Sequence, residues 1–376
     1  MSSKFDAVII GGGIIGLSIG YHLTRKGNTV LVIEKKYTGS GSTGRCIGGI
    51  RMQFSTEAAI RLMQESMSHF MKMEEDFDFS VEFLASGYLF LAHSEEKLKA
   101  FREVMKNQKE LGLNVRELSP DECLELVPGM NSDGLKGGIY SPEDGQAYPF
   151  KVLRGYINGI RKGGSVVRIF TEVTGIKTSE GTVSGVELEN GEFIEAPVVV
   201  NAAGPWGAEV GRMAGVELPI FPEEHEALIS DRYDHLFDPM VVDYRPDGCY
   251  FQQMATGQII GCYTPVPNKP GKQTSSSSEF LLEMSKRTSR LIPKLKDLNV
   301  IRHWGGSYSM TPDGSPIIDK TPVKGFFVAV GMSGHGFMFG PAIGKYLAQI
   351  ITDGTYPFEW DEFKIDREFS RHEIMK

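Results

Sequence analysis

The sequence predicts an α/β protein of two domains, a dinucleotide-binding core and a second domain with its own mainly antiparallel sheet. Three observations carry that prediction. Residues 5–34 read as strand, glycine turn, helix and strand. Residues 224–263 are dominated by strands that suggest a separate sheet. After Gly325 the pattern returns to strand, glycine-rich turn and helix, as if rejoining the first unit. A chain of 376 residues is long enough for two cores.

In the opening unit Val8, Ile9 and Ile10 form a buried strand, and Gly11, Gly13 and Gly16 fall on the G-x-G-x-x-G spacing. A helix then runs to about Gly27, and residues 29–33 form a second strand ending at Glu34. The spacing gives each glycine a distinct role. Gly11 makes the tight turn, Gly13 lets the backbone approach a pyrophosphate, and Gly16 lets helix and strand pack closely. Unpaired N–H groups at the helix start suit phosphates, and Glu34 is placed to hold a ribose diol. The unit is therefore Rossmann-like.

Further along, residues 39–44 are a small-residue loop. Helices are expected over 56–76, 95–111, 149–162 and 277–291, with Ser119 capping another that Pro120 opens. Strands are expected at 87–92, 165–170, 173–178, 182–188, 193–194 and 198–201, with Asn190-Gly191 turning a hairpin. The closing helix is expected at 341–351. The implied division is discontinuous: 1–85, 145–220 and 320–376 against 86–144 and 221–319.

Composition narrows the function classes. A formal charge of −8 argues against nucleic acid as the main partner. The cysteines at 46, 123, 249 and 262 have neither CxxC pairing nor metal-ligand spacing, and read as thiols in a reducing compartment. A strand beginning at residue 5 leaves no room for a signal peptide, and no apolar run approaches a membrane span. The expectation is a cytoplasmic protein, or one held peripherally at a membrane through a complex.

Residues 302–319, RHWGGSYSMTPDGSPIID, and 328–337, VAVGMSGHGF, carry a more selective signal. With the opening unit and residues 39–51 they resemble the D-amino-acid oxidase superfamily of FAD enzymes. Within it they resemble the branch of sarcosine oxidase and archaeal-type L-proline dehydrogenase β subunits, and the resemblance runs nearly end to end. It implies an FAD domain and a substrate domain. On this resemblance FAD contacts fall on Gly11, Gly13, Ile14, Ile15 and Gly16, on Glu34 and Lys35, and on Ser42, Thr43, Arg45 and Cys46. Further contacts fall on Val173, on Ala203, Gly204 and Trp206, and on Gly306, Gly334, His335, Gly336, Phe337 and Met338. Trp206 itself reads as packing rather than chemistry. Residues 333–336 open the last helix, whose N-terminal dipole would face the flavin ring and stabilise negative charge there. His335 also reads as a capping or core histidine, and both readings stand.

The resemblance also assigns a substrate side. Arg51 matches an arginine that grips the substrate carboxylate, the competing reading being a surface or pyrophosphate-contacting arginine. Met338 replaces a lysine that would be its partner, leaving Arg45, His225 or Tyr308 as the second arm. Tyr250 and Tyr308 read as substrate contacts or as core. A glycine-oxidase-type arginine would sit near Tyr308, so the tyrosine counts against that branch. Gly306 replaces a flavin-linking cysteine, which makes the FAD noncovalent. Pro149 replaces an FMN-linking histidine, so any FMN at a subunit interface is noncovalent too. Ile259 aligns with a lysine that promotes reaction with O2, which implies slow oxidase behaviour.

The expected activity is FAD-dependent oxidation of a secondary-amine amino acid, L-proline favoured, by hydride transfer from Cα to flavin N5. Electrons would pass to flavin or iron–sulfur subunits or a quinone-linked chain. The alternatives are a sarcosine, glycine or opine oxidase-like enzyme of the same fold, and a noncatalytic dinucleotide-binding subunit.

Overall fold

The computed structural model describes residues 3–370 and 373–375. Six strands form the first sheet, in the order Ile317–Lys320, Phe326–Val330, Val199–Asn201, Ala7–Ile10, Val30–Ile33 and Val166–Arg168. All neighbours run parallel except the first pair. Parallel strands have both faces covered, which is why they read as unbroken apolar runs rather than alternating ones. Ile9 and Val32 pack on the face covered by helices Ile14–Arg25, Pro149–Lys162 and Gly336–Asp353. Val8, Ile10, Leu31 and Ile33 pack on the other face, against the four-stranded sheet that contains Val173–Ser179 and Thr182–Leu188.

The second large sheet runs in the order Lys269–Pro270, Phe221–Arg232, Gln258–Cys262, Tyr250–Gln253, Met240–Asp243, Tyr88–Ala92, Gly137–Ser141 and Arg116–Leu118. The eleven-residue strand Val300–Met310 pairs along Phe221–Arg232. Only Met240–Asp243 with Tyr88–Ala92 is a parallel pair. The α/β expectation with a mainly antiparallel second sheet therefore holds. Among the described residues no helix is long and apolar enough to cross a membrane.

Two expected elements differ. The helix expected over 56–76 is two, Glu57–Phe70 and Met73–Phe77. At the break the Lys72 amide bonds the His69 carbonyl three residues back, and the turn lets both Phe70 and Met73 become buried. The closing helix begins at Gly336, five residues before the expected Pro341, and runs to Asp353. A proline inside a helix leaves the carbonyl four residues back without a donor. Here the next amide, Ala342, finds the Ser66 hydroxyl at 3.1 Å. The helix also lies too close to Ile14–Arg25 for larger residues: a Cβ on Gly340 or Gly344 would stand 2.5 Å from Ile14 or 2.0 Å from the Ser18 hydroxyl. Packing on neighbours outweighs the local proline signal.

Candidate active site

Two cavities meet between the sheets. One, of about 320 Å³, lies at the first glycine turn; the other, of about 440 Å³, lies under the antiparallel sheet. Ser42, Arg45, Cys46, Tyr308, Gly334 and Phe337 line both, so they form one continuous slot.

The smaller cavity is built from backbone. Gly11 sits at φ +120°, and a Cβ there would come 2.3 Å from the Ala202 carbonyl oxygen. A Cβ on Gly16 would come 2.0 Å from the Gly11 carbonyl. Gly16 lines neither cavity; its role is packing, as the spacing predicted. Gly13, Ile14 and Ile15 line the cavity, but the Ile14 amide is already bonded to the Thr43 hydroxyl at 3.1 Å. The helix start thus offers fewer open donors than the motif alone suggests.

Glu34 is fixed rather than free: its carboxylate accepts from the Gly12 and Lys36 amides, both at 2.9 Å, and from Ser40 at 3.3 Å. A Cβ on Gly12 would stand 2.7 Å from that of Glu34. Gly12 is thus a residue the motif pattern passes over, though the Gly-Gly-Gly run signalled it. Lys35, Val173, Ala203 and Gly204 line the far wall with Trp206. Trp206 is half-buried, with the Lys35 ammonium 4.2 Å from its ring centre, so it is cavity wall rather than core. A glycine turn, a helix start and a pre-positioned carboxylate fit the pyrophosphate and ribose of a dinucleotide.

At the junction Gly334 adopts φ +90°, and a Cβ there would strike the Tyr308 ring at 2.6 Å. Ser333 holds φ +47° with its amide on the Ser309 carbonyl. This turn delivers Gly336, which lines the smaller cavity, to the N-terminus of the long helix. That terminus carries the equivalent of about half a positive charge. Arg45 braces the joint, donating to the Ser40 and Gly305 carbonyls at 3.2 and 3.0 Å. Gly306 faces the Arg45 side chain. Burial pushes the Cys46 thiol up to about 12, so it stays protonated.

The larger cavity is built from side chains. Arg51 lines it and is buried, which separates it from the surface and pyrophosphate readings. Its guanidinium lies over the Phe54 ring, 4.1 Å from the centre. It donates to the carbonyls of Gln53 and Met375 and meets His335 Nε2 at 3.2 Å. His335 is the N-cap residue of the long helix by backbone, yet its ring serves Arg51 and packs edge-on to Phe54. With Gly306 and Met338, it lines only the larger cavity.

Opposite stand Tyr250 and Tyr308, hydroxyl to hydroxyl at 3.0 Å. Burial pushes both phenols well above their ordinary range, so both stay protonated and one donates to the other. His225 stacks on Tyr308 at 3.8 Å, and burial lowers its pKa to about 4, which leaves it neutral. Of the expected second arms, Arg45 is committed to the joint and His225 carries no charge.

Sequence patterns pass over Asp144, Tyr88, Glu223 and Met375. Asp144 accepts from the Met52 amide at 2.9 Å and from Gln53 at 3.2 Å, and so positions the segment that carries Arg51. Burial raises its pKa to about 7. No motif isolates such a carboxylate; only the fold brings residues 51–53 and 144 together.

Ile259 is a correction. It lines neither cavity but lies in the apolar core with Leu228, Phe251 and Met284. On the strand Gln258–Cys262, Cys262 faces the larger cavity. Side chains alternate along a strand, so a one-residue offset in alignment moves a residue to the opposite face.

The chain matches the model of the DAO family, FAD dependent oxidoreductase, over residues 6–350. It is 30% identical to the sarcosine oxidase subunit beta of Rhizobium meliloti (strain 1021), over 96% of this chain and 88% of that protein. To the glycine oxidase of Geobacillus kaustophilus (strain HTA426) it is 25% identical, over 99% of both. The solved structure of L-proline dehydrogenase from P. horikoshii superposes with a TM-score of 0.92 at 34% identity, covering 97% of each chain.

Proposed function

The chain belongs to the DAO family of FAD-dependent oxidoreductases and acts on the C–N bond of amino acids of the sarcosine, glycine and proline type; from that premise we propose that its substrate is a secondary-amine amino acid, L-proline in first place. The carrying observation is Arg51, a buried cation in a slot walled by phenols and rings. The likeness to L-proline dehydrogenase supports the choice of amine.

We propose that FAD is held noncovalently by the residues lining the smaller cavity, from Gly11 and Glu34 to Trp206, with its ring at the Gly334–Phe337 turn. Gly306 offers no nucleophile, and the Cys46 thiol is kept protonated. FAD supplies the two-electron acceptor; the chain supplies placement. Arg51 binds the carboxylate, the bonded Tyr250–Tyr308 hydroxyl pair presents one donor from the facing wall, and Phe337 and Met338 exclude water. Helix dipole and Arg51 both favour negative charge near the turn.

We propose further that the domains divide as the sequence suggested, with strand Ile317–Lys320 kept whole in the FAD domain. The acceptor in this reading is a flavin or iron–sulfur subunit, and the compartment is the cytoplasm. Support comes from a relative that is itself a subunit, from four free thiols, and from a larger cavity in whose described lining there is no lysine. An FMN at a subunit interface belongs to the same reading. Near Pro149, Tyr148 and Phe150 are 38% and 45% exposed, surface that a partner would cover.

Anaerobic mixing of the purified holoenzyme with L-proline, sarcosine, glycine and an opine, followed by dye reduction, tests the substrate. L-Proline is expected to bleach the flavin with the highest kcat/KM; a clear preference for sarcosine or glycine overturns the assignment.

A further inference from the structure

The Arg51 guanidinium is already occupied. Nη1 donates to the Gln53 carbonyl; Nη2 donates to the Met375 carbonyl and meets His335 Nε2 at 3.2 Å. Arginine only donates, so the histidine nitrogen is the acceptor. A carboxylate gripped by two parallel bonds uses either the Nη1–Nη2 edge or the Nε–Nη2 edge, and both include Nη2. With both Nη2 hydrogens engaged, one partner must leave before either edge opens.

The two partners are unequally held. His335 starts an eighteen-residue helix and is wedged between Phe54 and Phe339. Met375 belongs to a short segment seated on residue 55. The Glu373 carboxylate accepts from the Ser55 amide at 3.0 and 3.2 Å and from the Met375 amide at 2.6 Å. The Ile374 amide donates to the Ser55 hydroxyl at 3.2 Å, while the Ile374 side chain is 53% exposed. The Met375 side chain itself is buried with Tyr88, Phe90 and Met240, and the residue lines the larger cavity. The firmer clamp lies upstream, where Arg367 grips Asp313 with two bonds of 2.8 and 2.9 Å.

We propose that residues 373–375 form a displaceable part of the substrate site. The Met375 carbonyl occupies the place of one substrate carboxylate oxygen on Arg51, and substrate binds by exchanging with it. The proposal rests on Arg51 being the carboxylate anchor. It makes the segment a competitor in every binding event and a limit on what reaches the cavity.

The test uses holoenzyme and acetate as a nonreacting carboxylate, read by the perturbation of the flavin spectrum. A chain ending at residue 370, which keeps the Arg367 clamp, is expected to bind acetate about tenfold more tightly, the factor removed when a ligand no longer opens a site closed ten to one. Glu373→Gln, which weakens the seat without shortening the chain, is expected to move affinity the same way by less. Hydrogen exchange of the C-terminal peptide is expected to speed up when acetate saturates the full chain.

Unchanged or weaker acetate binding in both variants, or slower exchange of the peptide on binding, overturns the proposal. Arg51→Lys separates the two readings. If it leaves acetate affinity intact, or if neither the full nor the shortened chain responds to acetate, the anchor assignment itself falls. If it abolishes binding while the tail variants and the exchange stay silent, only the displacement falls.

Discussion

The two cavities are made of different materials. The smaller one is shaped by backbone: φ +120° at Gly11, a Gly16 with no room for a methyl group, and amides that fix Glu34. The larger one is shaped mainly by side chains drawn from segments far apart in the chain, Arg51, Tyr250, Tyr308 and His335, with Asp144 holding the Arg51 segment from behind. Backbone-built sites demand particular residue types at fixed spacing. Side-chain-built sites demand only that the fold bring suitable groups together.

Substitutions can break this contrast from either side, and the largest effect is expected away from both cavities. Ile259→Lys places an ammonium among Leu228, Phe251 and Met284. Burying an unpaired charge there is expected to cost about 4 kcal/mol or more. The variant should be insoluble or melt far below the parent, with no gain in O2 reactivity. A folded Ile259→Lys enzyme whose reduced flavin reacts faster with O2 would return that position to the flavin.

Next is the backbone side. Gly11→Ala adds a Cβ 2.3 Å from the Ala202 carbonyl at a φ that side chains rarely adopt. Overpacking and backbone strain together are expected to cost about 3 kcal/mol. The purified protein should be largely free of flavin, as measured by the ratio of flavin to protein absorbance. Full flavin occupancy in Gly11→Ala would mean that the turn tolerates a methyl group and does not cradle the cofactor.

On the side-chain side the expected loss falls on catalysis instead. Arg51→Lys keeps the charge but not the two parallel bonds, and should lower kcat/KM by about 2–3 kcal/mol while flavin content stays intact. Loss of flavin in step with activity would move Arg51 across to the cofactor side and erase the contrast.

What the sequence made legible follows the same division. The glycines at 11, 13 and 16, the acidic residue at 34 and the turn at 333–336 were readable because geometry leaves few residue types able to occupy them. Most helices and strands were readable from periodicity, down to the bounds of Pro149–Lys162. The start of the last helix was not, because Pro341 is a local stop signal that the close fit against Ile14 and Ser18 overrides. Arg51 and the tyrosines came from resemblance, whereas Asp144 and Met375 had no signal at all. Their roles arise when residues 51–53 meet residues about ninety and more than three hundred positions away. That Ile259 faces the apolar core and neither cavity is set by strand pairing and packing, which a matched run of residues does not carry.

The effect that is smallest at any one step of pH probes the residue that sets Arg51 in place. Asp144 is fully buried, and desolvation raises its pKa from 3.8 to about 7 even though Met52, Gln53 and Arg51 favour the charged form. A carboxyl raised in the folded state binds more protons there than in the unfolded chain between those two values, so its contribution to stability falls as pH rises through the interval. Carboxylates lowered in the folded state act oppositely: Glu65, lowered to about 2 chiefly by its hydrogen bond with His69, contributes stability that is lost on acidification. The Asp144 effect must therefore be read as a difference. Asp144→Asn lacks the titration and should gain on the parent as pH climbs from about 4 to 7, by at most about 1.4 kcal/mol per pH unit, and then hold steady. Parallel melting curves across pH 4–9 measure it, and a difference that stays flat through the interval would place an ordinary, ionised carboxylate beside Arg51. The same variant should flatten any change in KM between pH 6 and 8, because the charge that varies next to the anchor has been removed.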